Sequence, residues 1–190
     1  MSERPGVYLA LVHHPIRDRQ GGTITTSVTN LDVHDIARAA RTYGLRGYYV
    51  VTPIEAQRAL VRHIMSYWRE GGGSARVPER AEALSIVREV PSLEDALAAI
   101  EAAEGAKPTT VTTAARASRD PKSFDEVRAM VRARTTPVLL VFGTGYGLAQ
   151  RVLDAADVHL APVRPGGYNH LAVRSAVSII LDRLLGDEGA

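Results

Sequence analysis

The sequence contains no cysteine. That excludes disulfides, thiolate metal sites and cysteine nucleophiles together. It also lacks a long apolar run. The longest near the start is Val7–Val12, far short of the roughly 20 residues that a membrane span needs. The same run is too short for a secretory h-region, and Met1-Ser2-Glu3-Arg4 carries no positive excess, so a cytoplasmic protein is expected. Lysine is nearly missing: of 23 basic residues, only Lys107 and Lys122 are lysine. The other 21 are arginine, whose planar fork suits phosphates and stacks on bases, although a GC-rich coding sequence enriches Arg and Ala together. A net charge of +2 excludes a histone-like polycation. With 45% apolar and 23% charged residues, the 190 residues are expected to form one globular domain over 1–190, not a disordered chain.

What is present alternates between two patterns. Continuous β-prone runs occur at Val7–Val12, residues 47–52 (GYYVVT, stopped by Pro53) and residues 137–142 (PVLLVF). Weaker ones occur at 86–90, 109–113 and 158–161. Continuous runs suit strands buried on both faces. Helical patterns fill the gaps at 33–43, 54–69, 92–103, 123–133, 148–155 and 171–185. The first follows Asn30 and Asp32, both good N-caps, and stops at Gly44. Two stretches, residues 14–29 and 70–78, look irregular. The alternation predicts an α/β fold, a mainly parallel sheet with helices on both faces.

Two glycine-bearing loops stand after strands and before helices. One is Gly143-Thr144-Gly145-Tyr146-Gly147; the other runs from Pro162 to His170. Ligands of open α/β sheets bind at such strand ends. Neither loop has GxGxxG spacing, and there is no Walker GK[ST]. Asn169 could hold a ligand or cap the last helix. That helix is apolar nearly all round, with only Arg174, Ser175, Ser178 and Asp182 as a polar stripe, so something must cover more than one side. A second subunit or a deep position in a monomer would do so. Arg58, Arg62 and Arg69 share one face of the second helix and form either a stripe that follows a phosphate backbone or a solvated one. No metal site, GxSxG elbow or HExxH stands out. Asp18, Asp32, Asp35 and Asp182 are possible general bases, with capping or surface roles as the alternative.

The C-terminal blocks VLLVFGTGYGLA (138–149) and HLAPVRPGGYNHLAVRSAVSIILDRL (159–184) resemble the SPOUT class of RNA methyltransferases. TNLDVHDIARAARTYGLRGYYVVTP (29–53) is similar to the first motif of that class, and TTAARAS (112–118) to its first cofactor loop. More narrowly, the chain resembles a bacterial family of single-domain, SAM-dependent RNA methyltransferases. The resemblance implies a C-terminal deep trefoil knot and a homodimer built on the last helix. It implies SAM bound by Thr112, Thr113, Phe142, Gly143, Thr144, Gly145, Gly147, Leu160, Ala161, Pro162, Val163, Tyr168, Asn169 and Leu171. It also implies that Arg38, Asn169, His170, Arg174 and, as base, Asp32 face tRNA or rRNA.

The departures bear on the acceptor atom. The ribose 2′-O branch carries an asparagine six residues before the arginine at Arg38, where this chain has Asp32. It also has Ser-Leu-Asn where this chain has His170-Leu171-Ala172. Asn169-His170 instead resembles the guanine-methylating branch, and His170 with Arg174 the branch that methylates a ribosomal pseudouridine. The expectation is methyl transfer to tRNA or rRNA, a base nitrogen ahead of ribose 2′-O. The alternatives are a non-catalytic SAM-binding RNA-binding or ribosome-assembly module and, on the glycine loops alone, an NAD or ATP protein.

Overall fold

In the computed structural model, residues 6–116, 120–133, 135–164 and 166–186 are described. Of the segments singled out above, Met1 to Arg4, Ala117, Ser118 and Pro165 lie outside them. The elements run β1 Val7–Val12, β2 Ile16–Arg17, β3 Thr23–Ile24, α1 Asn30–Thr42, β4 Gly47–Val51, α2 Glu55–Arg69, α3 Gly72–Arg76 and α4 Pro78–Ser85. Then follow β5 Val87–Val90, α5 Leu93–Glu104, β6 Thr109–Thr112, α6 Phe124–Ala133, β7 Val138–Gly143, α7 Gln150–Asp154, β8 Val158–His159 and α8 Val173–Leu185.

Six strands form one parallel sheet in the order β5-β4-β1-β7-β6-β8. The apolar runs are continuous because helices cover both faces. Val7, Leu9 and Leu11 point into one core with Val33, Ile36, Val61, Val127 and Leu181. Tyr8, Ala10 and Val12 point into the other, with Ala96, Ile100 and Val152 of α5 and α7. In register, Val12 sits beside Val51 on one side and Gly143 on the other. The C-terminal ends of the three central strands are therefore level, and the loops that leave them share one edge.

Three local expectations change. Thr29, not Asn30 or Asp32, caps α1: its Oγ1 accepts from the Asp32 N–H at 3.2 Å and donates to Asp32 Oδ2 at 2.6 Å. The loop at 14–29 contains the β2–β3 hairpin, and the stretch at 70–78 contains α3 and the start of α4, which Pro78 opens at a position where its missing N–H costs nothing. Ser92 caps α5, its Oγ accepting from the Asp95 N–H.

The last helix is covered from within the chain on its main face. Val177, Ile180, Leu181 and Leu184 are buried against α1 and α6. Val173, Ala176 and Ile179 remain half-buried, and Leu171 just before the helix is 46% exposed. No described helix is long and apolar enough to cross a membrane.

Candidate active site

Three loops leave neighbouring strands β6, β7 and β8 at the same edge. They are laced together. Leu160 N–H donates to Thr112 O at 2.9 Å, and Ala161 N–H to Lys122 O at 2.8 Å, so the chain beyond β8 runs alongside the segment beyond β6. Asn169 does not cap α8. Its Nδ2 donates to Ala115 O at 2.7 Å and to Arg164 O at 2.9 Å, which ties the third loop to the first. The N-cap of α8 is Ala172, which has no side-chain oxygen to offer.

The middle loop is a tight turn that needs glycine three times, Gly147 standing at φ +99°. Gly145 has φ +56°, in the left-handed region. A Cβ on Gly143 would lie 2.7 Å from the Leu148 N, inside any tolerable contact. The turn is stitched to the hairpin segment, for Arg17 N–H donates to Gly147 O at 2.9 Å. Thr144 Oγ1 reaches Val12 O at 3.2 Å. Of the remaining residues expected at the cofactor, Thr112, Phe142, Leu160 and Pro162 are buried, and Thr113, Ala161 and Val163 are half-buried. Thr112 Oγ1 bonds His159 Nδ1 at 2.7 Å. Tyr168 is 82% exposed, with the His170 ring 5.2 Å away. A cavity of about 150 Å³ opens on the α5 and α7 side of Thr112 and Val141.

A charged cluster lies where α8 crosses the start of α1. Arg174 Nη1 is 3.3 Å from Asp32 Oδ1, and its Nε is 3.6 Å from Asp35 Oδ2. Asp32 is buried, so this pair and the Thr29 hydroxyl supply the hydrogen bonds that a buried carboxylate requires. The structure thus brings Arg174 and Asp32 together. Arg38 lies further along α1, exposed, and lines a separate open pocket. Asp18 is occupied in a turn, accepting from Gln20 and Gly22 N–H, and Asp182 accepts from the Tyr43 hydroxyl at 3.0 Å.

The arginine stripe on α2 is not free. Arg58 and Arg62 both pair with Glu55 and Glu89, and Arg69 donates to the Ser85 and Val87 carbonyls. Glu89 arrives from β5, so no helix periodicity could reveal it. No sequence pattern singles out His13. His13 ends β1, is fully buried, and bonds Thr26 Oγ1 through Nδ1 at 3.1 Å. Thr26 in turn contacts Thr144 of the glycine turn. His13 Nε2 has no partner. Burial pushes its pKa down to about 4, with Asp32 pulling the other way, so the ring is neutral at pH 7. The Tyr48 hydroxyl is also buried without a partner, and burial raises its pKa. Among the described residues no group of three His, Cys, Asp or Glu could hold a metal ion.

A parallel α/β sheet whose last three strands release interlaced loops at one edge is the fold of the SpoU methyltransferases. A probable methyltransferase from Bordetella pertussis Tohama I superposes with a TM-score of 0.62 at 18% identity, over 95% of this chain and 92% of that one. AviRb, the SpoU methyltransferase of Streptomyces viridochromogenes solved with AdoMet, superposes at 0.57 and 17% identity, over 97% and 61%. The fold is therefore the knotted SPOUT one, with the trefoil in the C-terminal part.

The sequence narrows this further. A family model described as SAM-dependent RNA methyltransferase matches residues 6–186. A tRNA (guanine-N(1)-)-methyltransferase of Oleidesulfovibrio alaskensis is 47% identical over 188 residues, 97% of this chain and 44% of that protein. An uncharacterized protein of Aquifex aeolicus is 40% identical over 179 residues, 94% of this chain and 87% of that one. The chain belongs to the SAM-dependent RNA methyltransferase family. It spans less than half the length of the named tRNA methyltransferase it matches.

Proposed function

We propose that this chain transfers the methyl group of SAM to a tRNA nucleotide, at a base nitrogen in preference to ribose 2′-O. The observation that carries the reading is the lacing of three strand-end loops beside a buried Asp32–Arg174 pair. The loops suit SAM. A Cβ built on Gly147 or Gly166 meets nothing within 4 Å, so backbone there is open to a ligand, and exposed Tyr146 and Tyr168 offer flat apolar surface. Bound SAM supplies a methyl group already activated on a sulfonium. The protein's share is then to align an acceptor in line with it and to take the acceptor's proton. Asp32, steadied by Thr29 and facing Arg174, is the base in this reading, and Arg174 offsets negative charge that develops on the nucleobase. The preference for a base nitrogen is supported by Asp32 and Ala172 standing where the ribose branch has asparagines, and by the guanine-N1 name of the Oleidesulfovibrio relative.

The half-buried side of α8, continued by exposed Leu171, supports a homodimer through that helix. A non-catalytic RNA-binding or assembly module is the second reading. It is favoured by how fully Asp32, Arg174 and the Asn169 amide donors are already satisfied within the chain. Asp32→Asn separates the two when assayed with labelled SAM and unmodified bulk tRNA. We expect kcat to fall at least 100-fold while SAM affinity by calorimetry stays within about twofold, general-base contributions being roughly 10²–10⁴-fold. Unchanged transfer would remove Asp32 as base; SAM binding without transfer by the unaltered protein would favour the second reading.

A further inference from the structure

α1, α2 and α4 enclose an open pocket of about 500 Å³, on a different part of the surface from the laced loops. Its centre is Trp68, the one tryptophan in the chain. The His34 ring stands edge-on to it at 5.7 Å and 78°, Tyr67 at 5.4 Å and 90°, and the Arg80 guanidinium lies over it at 5.1 Å. Behind the Tyr67–Trp68 pair, Gly73 of α3 approaches so closely that a Cβ would meet Trp68 Cε3 at 2.7 Å. The aromatic wall is thus fixed from behind and open in front, where Tyr67 is 48% and Leu31 59% exposed.

The charges around this wall differ from those elsewhere on the same helices. Arg41 is paired with Glu82, and Arg58 and Arg62 with Glu55 and Glu89. Arg38, His63 and Arg80 line the pocket and make no ion pair among the described residues. The carboxylate in the lining, Asp35, is engaged by Arg174. Two buried polar atoms there, His34 Nδ1 and Arg80 Nε, have no hydrogen-bond partner. Buried polar atoms are normally satisfied, so an orphan pair in a lined pocket points to a ligand that supplies the partners.

Open aromatic surface, unpaired cations and orphaned hydrogen-bonding atoms together match one ligand chemistry. An aromatic face takes a base, arginines take its phosphate, and a neutral imidazole reads a base edge. We propose that this pocket holds an unpaired nucleotide of the RNA substrate, outside the nucleotide that is methylated. Base contact falls to Tyr67 and Leu31, with His34 at the base edge, and phosphate contact to Arg38 and Arg80. The inference rests on the RNA-methyltransferase reading and deepens it, by placing a second RNA contact beside the Asp32–Arg174 pair, with Asp35 between the two.

The single tryptophan makes the test direct, because the protein has one indole N–H resonance. The ¹⁵N-labelled protein is titrated separately with a mixed-sequence ten-nucleotide single-stranded RNA, with bulk tRNA and with SAM. We expect the Trp68 indole resonance to move with either RNA and to stay still with SAM. Tyr67→Ala, at an exposed position that leaves the core intact, is expected to weaken RNA binding and raise KM for RNA roughly tenfold, with kcat and SAM affinity within about twofold. RNA binding or methylation with an unmoved Trp68 signal overturns the proposal, as does an unweakened Tyr67→Ala, or a failure of both RNAs to bind. A Trp68 signal that moves with protein concentration in the absence of RNA shows a second copy on this face and overturns it too. An indole shift with RNA but no methyl transfer leaves the pocket standing and defeats the methyltransferase reading instead.

Discussion

His13 shows how one side chain couples the fold to its surroundings. It sits at the end of the central strand, buried and neutral, with its pKa pushed down to about 4 from the ordinary 6.5. The unfolded chain binds a proton there below pH 6.5, whereas the folded chain does not until about pH 4. The stability this neutral ring provides is therefore complete above pH 6.5 and is lost as pH falls toward 4. The largest loss from this group is about 3 kcal/mol, at roughly 1.4 kcal/mol per pKa unit. Urea melts at pH 7, 6 and 5 should show this decline, and His13→Gln should flatten it. A slope unchanged by the substitution would show that His13 is not its source. Residue identities at the candidate site were partly legible. The glycines announce a tight turn because Gly145 needs a positive φ and Gly143 leaves no room for a Cβ. The Asp32–Arg174 pair was not legible as a contact, since the two residues are 142 positions apart. Nor was the silence of Arg58 and Arg62, whose partner Glu89 comes from a strand.

Among the elements, the long ones followed from their patterns and the short ones did not. β1 and β7 are continuous apolar runs because successive side chains feed two separate cores. α1 stops at Gly44, which takes the left-handed conformation. By contrast β2 and β3 are two residues each, too short to carry a period, and Gly71-Gly72-Gly73 looks like a break although α3 begins there. The third loop is held by a device that sequence left ambiguous. Asn169 could have capped α8, but its amide bridges the carbonyls of Ala115 and Arg164. Asn169→Ala removes both bonds at the surface. We expect SAM affinity to fall roughly tenfold, from about 0.5–1.5 kcal/mol per lost bond, with the urea midpoint nearly unchanged. Unaltered affinity in calorimetry would show that the loop holds its place without Asn169.

At the scale of the whole molecule, the parallel sheet brings distant segments to one edge. The first motif on α1, the glycine turn after β7 and the last helix are far apart in sequence, yet α8 packs on α1 and the loops interlace. The fold class was legible from the strand–helix alternation alone; the knot was not, because knots are rare enough that no periodicity implies one. The central claim is that this arrangement methylates tRNA on a base. It is tested most directly by incubating the protein with labelled SAM and unmodified bulk tRNA, then digesting the RNA to nucleosides and separating them. The account predicts label in a base-methylated nucleoside. Label in a 2′-O-methylnucleoside, or no label from protein that binds SAM, would contradict it.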